Sequence, residues 1–287
     1  MSKTILILFL IVAAIVIGGG SYYYFEIYQP AHYAASLLSL YQKLESSGLQ
    51  PDTSSLKDKT DYTSALEILE ARINLLESIQ SEFLKIEAPG RMDNFHNEFS
   101  SYLGFTLAQH GQAARLGVFI KNVNAVRSAL TTLQNHDSSP INEKNATAGD
   151  FQRVLGERIS KIQNSTEVLF RDEVTQSTKP SFSELKYLWE GASPGIDLFS
   201  KKLNALNPRL SVSQIGNMFT PLETQKFQGY TKKLEEFSKA IEDLAKQYSA
   251  YDLLAFRYFP DATSQEASER ALQFYQVIQK LKERYAK

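Results

Sequence analysis

The chain has 287 residues with 31 basic and 32 acidic side chains, which is room for one large or two small domains and a sizeable core. So even a balance leaves no global field to draw it toward nucleic acid. It has no cysteine, which excludes disulfides, thiolate metal sites, a lipobox lipid anchor and thiol catalysis together.

From Thr4 to Phe25 no residue is charged, and as a helix those 22 residues would span about 33 Å, enough to cross a hydrocarbon core of about 30 Å. Ile5, Leu6, Leu8, Phe9, Ile11, Val12, Ile15, Val16 and Ile17 supply apolar surface. Tyr22, Tyr23 and Tyr24 follow as an aromatic rim of the kind found at headgroups. The expectation is an uncleaved signal anchor with the lipid bilayer as its partner. A secretory signal cut near Gly20 is the alternative, although no Ala-x-Ala site occurs. Lys3 before the run and Glu26 after it would leave the N-terminus cytoplasmic and the rest extracytoplasmic in a single pass.

Pro30 marks a break. Leu37, Leu40, Tyr41 and Leu44 then recur at helical spacing until Gly48 and Pro51. A second stripe runs through Tyr62, Ala65, Leu69, Leu76, Ile79, Phe83 and Ile86, interrupted at Arg72 and stopped by Pro89-Gly90. Met92, Phe95, Phe99, Leu103 and Leu107 resume the pattern at once, as an antiparallel hairpin would, and it weakens through Ile120, Val123, Leu130 and Leu133. Residues His136 to Asp150 have loop composition, and Phe151, Leu155, Ile162 and Leu169 carry the next helix.

Ser181 and Glu184 have capping-box spacing before a short helix with Leu185, Leu188 and Trp189. Ser193-Pro194 is expected to open a separate helix, with Phe199, Leu203 and Leu206 inward. Thr220-Pro221-Leu222-Glu223 combines a threonine cap, proline at the first helical position and glutamate at the third. Tyr230, Leu234, Phe237, Ile241, Leu244, Tyr248, Tyr251 and Leu254 then form a coiled-coil-like seam. After Pro260, a Thr263–Glu266 box opens a returning stripe, Ala267, Ala271, Phe274, Ile278, Leu281 and Tyr285, against which that seam is expected to pack.

No stretch alternates with period two for long enough to require a strand. The fold class is therefore all-α: an N-terminal transmembrane helix, then an elongated ectodomain of long antiparallel helices. The partition is a cytoplasmic tip 1–3, an anchor 4–25, a juxtamembrane helix and connector 26–60, a helical hairpin 61–136, a loop 137–149 and a C-terminal bundle 150–287. Pro89 and Pro221 each stand six residues before a phenylalanine near a helix start, a hint of duplication too short to establish one.

Motifs of chemistry are scarce. The four histidines are scattered, and Asp93 with His96 offers only two ligands one helical turn apart, so no metal or cofactor is expected. Phosphate-binding glycine loops and a Gly-x-Ser-x-Gly elbow are absent from the sequence. Glu45-Ser46 and Glu77-Ser78 lack the segment that should follow a transglycosylase glutamate. Asn145-Ala146-Thr147 and Asn164-Ser165-Thr166 match the glycosylation pattern, as chance also would.

Trp189 and Tyr187 are the candidate partner-binding residues, since aromatic anchors dominate interfaces, although a lone tryptophan among leucines more often sits in a core. The expected function is non-enzymatic binding or scaffolding in a cell-envelope or surface assembly, with a protein partner or self-association. A ligand-binding, sensor-like ectodomain working with a membrane partner is the alternative, and a cell-wall hydrolase a distant third.

Overall fold

A computed structural model describes residues 16–46, 62–134, 146–171, 179–211, 214–215, 218–249 and 264–285. Its main helices are α1 (Gln29–Ser46), α2 (Tyr62–Phe83), α3 (Asp93–Gln134), α4 (Ala148–Arg171), α5 (Lys179–Asn204), α6 (Pro221–Tyr248) and α7 (Ser264–Tyr285). Among the described residues the one strand-like feature is an isolated antiparallel bridge between Thr147 and Ser211. The protein is all-α, as its periodicity predicts.

Local chemistry sets several helix starts. At α6, Glu223 N–H donates to the Thr220 hydroxyl at 3.3 Å while the Glu223 carboxylate accepts from Thr220 N–H at 2.9 Å, the reciprocal box read from the sequence. α4 opens with a box the sequence reading did not find: Thr147 N–H donates to Asp150 Oδ2 at 2.9 Å, and Asp150 N–H to the Thr147 hydroxyl at 3.3 Å. α3 starts differently. Pro89 is extended, a 3₁₀ turn Gly90–Met92 follows with no side-chain cap, and Met92 is fully buried. The Pro89 and Pro221 starts thus share a proline and not a mechanism.

The chain divides into two compact units. Unit 1 gathers α1, residues 67–83 of α2, residues 93–114 of α3, and α7. Its core joins Leu37, Leu40 and Leu44 of α1 to Leu76, Ile79 and Phe83 of α2, with Phe99, Phe274, Ile278 and Leu281 closing it. Aromatic stacking fixes the register: Tyr102 lies 3.9 Å from Phe274 with rings 3° from parallel, and Phe83 lies 5.2 Å from Phe99. Each such buried side chain contributes about 1.5–3 kcal/mol against exposure.

Unit 2 gathers the first residues of α2, residues 115–134 of α3, and α4, α5 and α6. α5 packs along α6 and against α4. Its core includes Phe119, Val123, Ile162, Leu185, Phe237 and Ile241. The weak periodicity of α3 has its cause in burial all round the helix: Gln109, His110 and Ala113 in unit 1 and Leu116, Phe119 and Ile120 in unit 2 are all buried, so no single polar face survives.

Four sequence expectations are corrected. The first is the membrane anchor and the localisation built on it: among the described residues no helix is long and apolar enough to cross a membrane. Of the anchor residues, Ile5, Leu6, Leu8, Phe9, Ile11, Val12 and Ile15 lie outside the described residues. Val16, Ile17, Tyr22, Tyr23 and Tyr24 are exposed on a helical segment that turns into a π-helix, Tyr23–Tyr28, and continues as α1. Three glycines, a serine and the tyrosines dilute its hydropathy, and Glu26 forms an ion pair with Arg91.

Second, α5 runs unbroken through Pro194, where two helices were expected. Proline removes one intrahelical bond, and packing against α4 and α6 outweighs that loss. Third, α5 begins at Lys179, so Ser181 lies inside the helix and not at its N-cap. Fourth, the α6 seam packs on α5, while α7 packs on α1. Tyr251, Leu254, Thr263 and His136 lie outside the described residues.

Candidate functional site

Three helices of unit 2 present the same i, i+3, i+4, i+7 face to one another, and those faces do not close completely. α5 contributes Ala192, Gly195, Ile196 and Phe199, and α6 contributes Phe227, Tyr230, Thr231 and Leu234. α4 adds Leu155, Ile159 and Ile162, and the end of α3 adds Leu133. Between them lies a cleft of about 200 Å³. Ile159, Ile162, Ala192 and Ile196 form a buried floor, whereas Leu133, Leu155, Phe199, Phe227 and Leu234 are half-buried around the mouth.

Small residues on α5 shape the cleft. A Cβ at Gly195 would stand 2.3 Å from Tyr230 Cβ, so α5 approaches α6 more closely there than any other residue permits. At one end Phe199, Phe219 and Phe227 form an aromatic group, with Phe219 and Phe227 stacked at 4.9 Å and Phe199 6.0 Å from Phe227. No charged side chain belongs to the lining. The Thr231 hydroxyl donates to the Phe227 carbonyl at 2.9 Å, and the wall is apolar throughout.

Such a cleft is a poor home for water, because an ordered water needs several polar partners. The chemistry of the wall suits holding apolar matter; it offers no nucleophile, base or metal ligand.

Trp189 and Tyr187, the candidates read from the sequence, are separated by the turn of α5. Trp189 is half-buried with its ring 5.3 Å from Phe237. Tyr187 points outward at 67% exposure, with Lys233 Nζ 5.7 Å above its ring. Lys233 is itself held by Glu236 at 2.8 Å, a bond that raises the lysine pKa and lowers that of the glutamate.

Glu223 is pulled down to about 2, first by the Thr220 backbone N–H and then by Lys202, whose Nζ lies 2.9 Å away. In unit 1 the Tyr33 hydroxyl is hydrogen-bonded to His96 Nδ1 at 2.7 Å, and burial with the nearby Asp93 charge raises the tyrosine pKa. His96 also stacks on Phe83 at 4.4 Å, which explains the Asp93–His96 pair as part of a packed helix contact.

His110 is fully buried and its Nδ1–H donates to the Thr106 carbonyl at 2.8 Å. Burial lowers its pKa to about 4, and the charge of Arg72 lowers it further. Arg72, the one interruption of the α2 stripe, is itself buried, with 5% exposure. Among the described residues no group of three or more metal-ligating side chains is present. Glu45 and Glu77 are exposed on α1 and α2. In the second glycosylation pattern Thr166 is fully buried, its hydroxyl donating to the Ile162 carbonyl at 2.7 Å.

The sequence reading missed the cleft because every residue in it scores as core. The available signal was the cluster Ala192, Pro194 and Gly195 on an otherwise bulky helical face. No protein-family model, curated protein or solved structure matches this chain.

Proposed function

We propose that this protein acts by binding, as a helical scaffold or accessory component of a larger assembly, and that the α5–α6 surface around Tyr187 receives a protein partner. The observation that carries this reading is the exposed Tyr187 ring, with Lys233 Nζ 5.7 Å above it and the Trp189–Phe237 contact on the inner side of the same helix. An exposed tyrosine brings both apolar area and a hydroxyl to a contact, and tyrosines concentrate in binding hot spots. The assignment of shifted groups to caps and packed contacts also supports binding over catalysis.

A photo-crosslinking residue at position 187, introduced in cells, tests this. The expected result is one discrete adduct, either with a second protein or at twice the 32.4 kDa chain mass, that a crosslinker at exposed Ser160 of α4 does not give. Equal and diffuse labelling from both positions would rule the surface out. A second reading, binding of a small ligand, is supported by the apolar cleft of unit 2.

A further inference from the structure

We propose that the unit 2 cleft is a binding site for a compact, uncharged, hydrocarbon-like molecule of roughly eight to ten carbons, scaled from the fact that an engineered apolar cavity of about 150 Å³ takes benzene. This rests on the ligand-binding reading above and is independent of the Tyr187 surface.

Size, shape and charge each narrow the ligand. The volume of about 200 Å³ is too small for a long acyl chain or a sterol and larger than a single benzene ring needs. The buried floor of Ile159, Ile162 and Ile196 offers dispersion contacts, and Phe199 and Phe227, whose rings stack with Phe219, add aromatic surface to the wall. The half-buried mouth gives a path from solvent.

Charge is excluded by the wall itself. Lys202 of α5 and Lys233 of α6 are ion-paired with Glu223 and Glu236, and neither they nor any other charged residue lines the cleft. A carboxylate or ammonium in the cleft would be desolvated with no counter-ion.

Naphthalene is the probe, titrated into the full chain by isothermal calorimetry, with 2-naphthoate as its charged counterpart. Saturable one-to-one binding of naphthalene is expected, at least tenfold tighter than naphthoate. Ile196→Trp, which fills the floor, should weaken it at least tenfold, and Tyr187→Ala should leave it unchanged. Leu234→Trp, at the half-buried mouth, serves if Ile196→Trp loses its helical circular dichroism. Absence of saturable naphthalene binding, equal affinity for naphthoate, or indifference to the filling variant would each overturn the proposal. A cleft already covered by another part of the chain or by a second copy would show as the first of these. Crosslinking at position 187 is unaffected by that failure, so the two readings fall separately.

Discussion

His110 shows how a single buried side chain couples this fold to pH. In the unfolded chain it takes up a proton near its ordinary pKa of 6.5, whereas in unit 1 burial and the charge of Arg72 hold it neutral down to about 4. Between those values the unfolded state carries more protons, so stability rises with pH through this window, is complete above it, and is lost on acidification. The gap corresponds to about 3 kcal/mol. Urea unfolding from pH 7.5 to 4.5 should show that loss, and His110→Gln, which does not titrate, should flatten the curve over that window. An unchanged slope in the variant would remove His110 as the cause. Glu223 acts lower on the scale: its cap is complete above about 4.5 and lost as pH falls toward 2. The cap itself was legible in the sequence because it is written in four consecutive residues. The buried His110 was not: its Thr106 partner is one turn away on α3, but its burial and the nearby Arg72 of α2 come only with the packing of the helices. Thr220→Ala should cost about 1 kcal/mol in chemical denaturation.

At the scale of the element, α5 carries the contrast between local and tertiary rules. Proline at 194 argues for a break, and the helix nevertheless continues because both α4 and α6 hold it. The close approach to α6 depends on Gly195. Gly195→Ala should therefore destabilise by about 1–3 kcal/mol through overpacking against Tyr230, and should also distort the cleft. Gly191→Ala makes the control: its Cβ would meet the flexible Lys233 Cδ at 3.3 Å, which can move aside. There the gain in helix propensity, about 0.5–1 kcal/mol, should leave stability nearly unchanged by thermal melting. The C-terminal end of α5 is completed from another helix, where the Gln152 amide donates to the Leu203 and Leu206 carbonyls at 2.9 and 2.8 Å. Gln152→Ala should cost about 1–2 kcal/mol and raise hydrogen exchange at the α4–α5 contact first. A cost shared evenly along α5 would argue against this role. None of the cross-helix dependence is visible in the α5 sequence, which shows only that a stripe exists.

Across the whole molecule, the two compact units invite a direct measurement, because the single tryptophan, Trp189, lies in unit 2. Tryptophan fluorescence therefore follows unit 2, while far-ultraviolet circular dichroism follows all helices. Phe99→Ala, in the core of unit 1, should cost about 3–5 kcal/mol and advance the dichroism transition ahead of the fluorescence transition. Coincident transitions in that variant would mean that the units unfold as one. The sequence by itself determined the helical class and several helix ends, because apolar periodicity, proline and capping residues act within a few positions of one another. The membrane anchor expected over Thr4 to Phe25 is the reading that fails: among the described residues no helix is long and apolar enough to cross a membrane. The tertiary structure alone decided which stripes meet, sending the α6 seam to α5 and the α7 stripe to α1. It also decided that three apolar faces of unit 2 should leave a cleft between them. The physical reason is the range of the forces: a stripe states that a face must be buried, and only the sizes and approach of the partner helices determine what buries it and where a gap remains.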